Sequence, residues 1–240
     1  MLQTKKLNAF YGGAHVIFDT SLHIRQGEFV GLFGRNGSGK SSMFRAFMGL
    51  KPPLITGEIV FKGKDITGLP SHQIANQGLG WVPEERKIFP NLSVRRNLLL
   101  GIKSAGKNGG GHKRSFGLPE AYHYFPKLEQ IQNRLGNQLS GGEQQMLTIA
   151  RTMMGNPDLV LFDEPTEGLA PNIARDVLNM ILEIRKDFQV TAVVVEQFSQ
   201  HLLPYLDRCY VMEHGEVIFE GCPKTLADDE ALQRKLLGVG

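Results

Sequence analysis

An α/β fold built on a parallel core sheet is predicted by three observations. A short apolar strand, Phe29 to Phe33, runs directly into the glycine-rich stretch Gly34-Arg35-Asn36-Gly37-Ser38-Gly39-Lys40-Ser41-Ser42, and a helix leaves it at Lys40. A second apolar run, from Asp158 to Phe162, is too short for a helix and ends in Asp163-Glu164. Unbroken apolar runs of this length belong to strands buried on both faces of a parallel sheet. Third, Leu139-Ser140-Gly141-Gly142-Glu143-Gln144-Gln145 precedes Met146, Ile149, Ala150, Met153 and Met154, spaced three and four apart as on a helix face.

Taken in order along the chain, Leu7 to Tyr11, Val16 to Ile24 and Gly57 to Lys62 read as short strands separated by Gly- and Asp-containing turns, a small antiparallel layer. Between about Ser93 and Gly136 lie helical stretches interrupted by Ser104 to Gly111, which reads as a flexible loop. Pro171 can start a helix whose buried face is Ile173, Val177, Ile181 and Ile184. Gln189 to Val195 and Arg208 to Met212 read as further strands. Glu213-His214-Gly215-Glu216 is a hairpin turn before Val217 to Phe219, and Lys224 to Leu237 is helix-like. Internal repeats are absent, so residues 1–240 are expected to form one domain.

Each of the three opening stretches has a chemical reading. Glycines after a strand let successive N–H groups turn inward towards phosphate, and the following helix start adds positive potential. Lys40 would reach the outer phosphates of a nucleotide, and the Ser41 hydroxyl would sit on Mg²⁺. Ligands of α/β sheets gather at the carboxyl ends of the strands, so Asp163 and Glu164 would face the same phosphates. Asp163 is placed to hold Mg²⁺ through water, and Glu164 to polarise the water that attacks the γ-phosphate. Ser140 with the N–H groups of Gly141 and Gly142 forms a second anion site at a helix tip.

Bulk properties narrow the classes. A chain of 240 residues that is 41% hydrophobic can build one substantial core, and a net charge of +3 gives no argument for nucleic acid. The basic clusters Lys103 to Arg114 and Arg95-Arg96 read as solvated surface. Cys209 and Cys222 are the only cysteines, without a CxxC pair, so neither a disulfide framework nor a zinc site is suggested. No apolar run approaches the ~18–20 residues of a membrane span, and the first residues lack a signal-peptide core.

The three motifs in this order resemble the ATP-binding cassette (ABC) ATPases: a P-loop (Walker A) at Gly34 to Ser42, Walker B ending at Asp163-Glu164, and the signature Leu139 to Gln145. The resemblance implies the P-loop NTPase fold of an ABC cassette, with a mixed parallel core sheet, a small antiparallel β layer and a helical subdomain at about 93–150. It implies ATP and Mg²⁺ as cofactors, and two cassettes packed head to tail so that each signature closes on the other's ATP. It also implies Tyr11, just before Gly12-Gly13, as the aromatic that stacks on adenine. Three positions depart from the family pattern: Glu84 stands at the Q-loop glutamine, Gln197 at the switch histidine and Ala170 at the aspartate after Walker B. Glu84 could still meet Mg²⁺ through water, and Gln197 could hydrogen-bond a γ-phosphate oxygen without carrying charge.

Those departures match one subfamily. Val82-Pro83-Glu84 before Ile88-Phe89-Pro90, Glu167-Gly168-Leu169-Ala170-Pro171, Val195-Glu196-Gln197 and Asp65 to Pro70 are similar to the shorter, LivF-like ATPase subunit of branched-chain amino acid importers. Urea and short-chain amide importers share most of these features. The resemblance implies a second ATPase subunit, self or related, beneath two membrane permease subunits fed by a periplasmic binding protein, at the cytoplasmic face of the membrane. Glu84 to Asn97 is the stretch expected to touch a permease subunit. A soluble ABC ATPase acting on nucleic acid would carry tandem cassettes, a coiled coil or a basic arm, none of which the sequence has.

Overall fold

The computed structural model describes residues 1–103, 115–197 and 200–237. The Ser104 to Gly111 loop and most of the Lys103 to Arg114 cluster lie outside the described residues. In chain order the strands are β1 (Leu2–Tyr11), β2 (Ala14–Thr20), β3 (His23–Ile24), β4 (Phe29–Phe33), β5 (Leu54–Phe61), β6 (Lys64–Asp65), β7 (Leu79–Val82), β8 (Leu159–Asp163), β9 (Thr191–Glu196), β10 (Arg208–Glu213) and β11 (Glu216–Gly221). The helices are α1 (Lys40–Phe47), α2 (Ser71–Asn76), α3 (Val94–Leu99), α4 (Leu118–Tyr124), α5 (Pro126–Gln130), α6 (Gly141–Met153), α7 (Pro171–Phe188), α8 (Pro223–Asp228) and α9 (Glu230–Leu237). The chain divides into two compact units, residues 1–75 with 191–240 and residues 76–190.

In the first unit, β4 lies between β10 and β9, parallel to both, with Arg208↔Val30 and Phe29↔Ala192 in register. All five β4 residues are buried, which is why Phe29-Val30-Gly31-Leu32-Phe33 is apolar without alternation. β11 pairs antiparallel with β10 through the turn at His214-Gly215. The antiparallel layer has the order β2-β1-β5-β6, with β3 also on β1. β1 starts at Leu2, five residues before the expected Leu7, because Leu2 to Lys5 pair with Phe61 to Glu58 of β5. A register shift there, with Lys6 at φ 46, breaks the alternation that would have revealed it. The expected Val16 to Ile24 strand is two strands separated by Ser21-Leu22.

Arg208 joins three parts of this unit. Its guanidinium donates to Glu28 Oε2 and Glu220 Oε1 at 2.7 Å each, and to the His23 carbonyl at 2.7 Å. Behind it, burial pushes the Tyr210 hydroxyl and the Cys209 thiol up to about 12 each.

In the second unit, β7 and β8 pair in parallel, Leu79↔Leu159 through Val82↔Phe162. α7 has Pro171 at its first turn and buries Val177, Ile181, Ile184 and Phe188, while Ile173 is half-buried. Gln189 closes it in the left-handed region at φ 52, so β9 begins at Thr191 and not at the expected Gln189. Phe188 packs its ring tilted against Phe116 at 5.2 Å and edge-on to Tyr124 at 6.0 Å, and the Tyr124 hydroxyl donates to Asp187 at 2.5 Å, fastening α4 to α7. Each fully buried aromatic or leucine here contributes ~1.5–3 kcal/mol of transfer free energy. The tail predicted as one helix is two, broken at Asp229, which is extended.

Candidate functional site

The glycine-rich loop leaves β4 at Gly34 and ends at Gly39, which precedes α1 in the left-handed region at φ 102. No side chain caps α1. The first-turn N–H groups of such a helix point outward as donors, the arrangement that receives phosphate oxygens. At Gly34 the need is space: a Cβ would come within 2.4 Å of the Met212 carbonyl oxygen and 2.6 Å of Ser38 Oγ. Ser38 is 5% exposed and its hydroxyl has no hydrogen-bond partner among the described residues, an orphaned polar atom of the kind a ligand satisfies. Lys40 is 4% exposed, and its ammonium donates to the Gly34 carbonyl at 2.8 Å and the Arg35 carbonyl at 3.2 Å. Arg35, Asn36 and Gly37 are exposed, whereas Ser41 and Ser42 are half-buried at the start of α1. An uncapped helix start, an orphaned hydroxyl and an ammonium together fit a polyphosphate.

One other predicted residue reaches this loop within the same unit, and the hairpin that carries another comes up against it. The Gly34 N–H donates to the Gln197 carbonyl at 3.3 Å, one residue past β9. Tyr11 ends β1 opposite Ala14, in the β1–β2 hairpin. That hairpin comes up against the loop: the Val16 carbonyl oxygen lies 3.2 Å from where a Gly39 side chain would begin. The Gly215 N–H donates to the Ser38 carbonyl at 3.0 Å, holding the β10–β11 turn there as well.

In the second unit, Asp163 ends β8 at 2% exposure and Glu164 follows at 7%. Glu164 has φ 44, a left-handed conformation that costs a non-glycine residue ~1–3 kcal/mol and that persists where the surroundings dictate it. Because β7 and β8 are parallel and in register at Val82↔Phe162, Glu84 and Asp163-Glu164 emerge from the same ends of neighbouring strands. Glu84 itself is exposed. Ala170, where the family has aspartate, is the N-cap residue of α7 and caps nothing with its side chain.

The signature turn is built as a capping box. Ser140 is the N-cap of α6; its N–H and its hydroxyl both donate to Glu143 Oε2, at 2.8 and 3.0 Å, and its Oγ accepts the Glu143 N–H at 3.4 Å. Gly142 has no room for a side chain, since a Cβ would lie 2.8 Å from Ile173 Cγ2. A Cβ on Gly141 would lie 2.9 Å from Nη1 of Arg86, a residue that sequence reasoning missed. Its only signal was its place two residues after Glu84. Of the expected permease-facing stretch, Val94 and Asn97 are buried, and Asn97 braces the loop before it by donating to the carbonyls of Phe89, Leu92 and Ser93. The exposed part is Glu84, Glu85, Lys87, Phe89, Pro90, Asn91, Arg95 and Arg96.

The family model described as ABC transporter matches residues 17–167. Among curated proteins the chain is 34% identical over 238 residues to the high-affinity branched-chain amino acid transport ATP-binding protein BraG of Pseudomonas aeruginosa, covering 99% of this chain and 100% of that one. It is 32% identical over 239 residues to the probable branched-chain amino acid transport ATP-binding protein LivF of Archaeoglobus fulgidus, covering 100% and 99%. It is also 34% identical over 239 residues to the lipopolysaccharide export system ATP-binding protein LptB of Escherichia coli K12, covering 99% and 97%. Of solved structures, the ADP conformation of MJ1267, an ATP-binding cassette of an ABC transporter, superposes with a TM-score of 0.78 at 26% identity over 100% of this chain and 99% of that one. Relatives above 30% identity from end to end, and a family match across the phosphate loop, the signature turn and the carboxylate-ended strand, make this chain a member of the ABC transporter family and one of its ATPase cassettes.

Proposed function

We propose that this chain is the ATP-hydrolysing subunit of an ABC importer for branched-chain, hydrophobic amino acids. The observation that carries the reading is the run of departures shared with that subfamily, Glu84, Gln197 and Ala170 in their local contexts, in a chain similar over nearly its whole length to BraG and LivF. In this reading residues 1–240 act as one nucleotide-binding domain, with a helical subdomain at about 93–150.

The assigned roles follow from chemistry. Tyr11 stacks on adenine, and Gly34 to Ser42 hold the phosphates with backbone N–H groups and the Lys40 ammonium. Glu164 accepts a proton from the attacking water and orients it, while the Gln197 side chain hydrogen-bonds the γ-phosphate. Ser41 and Asp163, with Glu84, would hold Mg²⁺, which when bound neutralises phosphate charge. Ser140, Gly141 and Gly142 seal the ATP of a second cassette, so that closure depends on nucleotide and reopening on hydrolysis. Among the described residues no helix is long and apolar enough to cross a membrane. In the same reading the chain works as a peripheral subunit at the cytoplasmic face, under two permease subunits and an external binding protein, with its exposed 84–96 surface towards a permease.

Identity to LptB as high as that to BraG favours a second reading, service to a lipopolysaccharide exporter. Co-purification from the native membrane decides between them. A permease pair and a second ATPase, with leucine, isoleucine and valine uptake lost when this chain is deleted, is the expected result. Intact uptake together with an export-type membrane partner would replace the first reading by the second.

A further inference from the structure

We infer that Arg86 is a positioning residue that locks the signature turn to the loop after Walker B. Its Nη2 donates to the Glu167 carbonyl at 3.1 Å, and a Cβ on the next residue, Gly168, would lie 3.8 Å from the same nitrogen. Nη1 lies against the bare Cα of Gly141, 2.9 Å from where a side chain would begin. One planar fork thus touches two elements far apart in sequence. A lysine ammonium is a point donor and cannot make both contacts at once.

The backbone of Arg86 is fixed as firmly as its side chain. The Arg86 N–H closes a turn on the Pro83 carbonyl at 3.1 Å, its own carbonyl accepts the Thr148 hydroxyl of α6 at 2.5 Å, and Arg151 of α6 donates to the Lys87 carbonyl at 2.7 Å. Arg86 and Lys87 both have positive φ, 60 and 32, a conformation that non-glycine residues hold only when their surroundings over-determine it. The 83–87 segment is therefore bolted to the side of α6 while its guanidinium grips the tip of that helix. A displacement of the exposed 84–96 surface would be carried directly to Gly141 and to Glu167-Gly168.

The inference rests on the proposed reading that Ser140 to Gly142 close on a partner's ATP, and it predicts a separable effect. In a Glu164→Gln parent, ATP-dependent pairing with itself or its companion cassette is measured by light scattering, and ATP binding to the single subunit by a fluorescent analogue. Arg86→Met, which keeps the aliphatic stem, is expected to weaken pairing about tenfold, within the usual range of coupling between sites, with single-subunit affinity unchanged. With Glu164 restored, the same variant should lower kcat about tenfold at constant KM, the signature of an interaction absent from substrate binding. Arg86→Lys should resemble Arg86→Met, and it carries the comparison if the methionine variant does not fold. Pairing at parental strength in both variants overturns the inference, as does nucleotide affinity that falls in step with pairing. A parent that never pairs with any candidate overturns the shared-site reading and this inference with it.

Discussion

The Gly34 N–H and the Gln197 carbonyl, 3.3 Å apart, tie the first residue of the phosphate loop to the residue at the switch position through backbone alone. A change of the Gln197 side chain therefore leaves the bridge in place. Gln197→Ala should keep ATP affinity and lower kcat about tenfold, the scale of one lost neutral hydrogen bond. Gln197→His should retain turnover and add a pH step at roughly 6–7, where imidazole titrates. Steady-state ATPase assays across pH check both variants.

Glu164→Gln removes the proposed proton acceptor while keeping the shape of the side chain. Hydrolysis is expected to slow by roughly 10²- to 10⁴-fold, the usual loss for a general base, with ATP binding preserved. Unchanged single-turnover rates would remove Glu164 from its assigned role.

Ser140→Arg replaces the N-cap of α6 and places a bulky cation at the tip. Loss of the cap costs about 1 kcal/mol, too little to unfold the chain, but closure on a partner's ATP is blocked. Thermal melting should shift by only a few degrees while steady-state ATPase is lost. Full ATPase activity in this variant would argue against a shared site.

Asn97→Ala should be among the most damaging substitutions outside the nucleotide residues. Its amide donates to three carbonyls that also accept the backbone N–H groups of Leu92, Gly136 and Asn97, and its Oδ1 accepts the Phe89 N–H at 2.9 Å, all at a position with no exposure. Losing these bonds and stranding the Phe89 N–H costs ~1–3 kcal/mol, measurable by urea denaturation.

The two cysteines should behave oppositely. Cys222 is exposed, whereas Cys209 is buried with its thiol pushed up from 9.0 to about 12 by desolvation. A thiol reagent at neutral pH should label one site quickly and the second only in denaturant. The folded thiol holds its proton to higher pH than the unfolded one, so the associated stability is complete below pH 9.0 and is lost as pH rises towards about 12. Denaturation curves measured through that window should show the decline.

Much of this molecule was legible in the sequence where burial was one-sided in its demands. Phe29 to Phe33 must be apolar at every position because both faces of this central strand are buried, and the strand occupies those residues. Boundaries were harder where a backbone turn overrides composition. Gln189 looked like the start of a strand but bends left-handed to finish α7, and the Leu2 to Lys6 portion of β1 was hidden by solvent-facing lysines and a register shift. Lys40 and Ser140 announced themselves through glycine neighbours whose spacing has a chemical meaning. Arg86 could not do so, because its role comes from a guanidinium folding back onto residues 55 and 81 positions further along the chain, contacts that no local pattern encodes.

Lys40 lies folded against its own loop, its ammonium held by the Gly34 and Arg35 carbonyls. A lysine immobilised from solution forfeits up to ~2 kcal/mol of rotamer freedom, and here that freedom was given up when the chain folded. An incoming triphosphate meets a charge already at the doorway, needing a short swing and not a search. The entropic toll of capturing the anion is thereby shifted from the moment of docking to the making of the protein itself, leaving more of the attraction to appear as affinity.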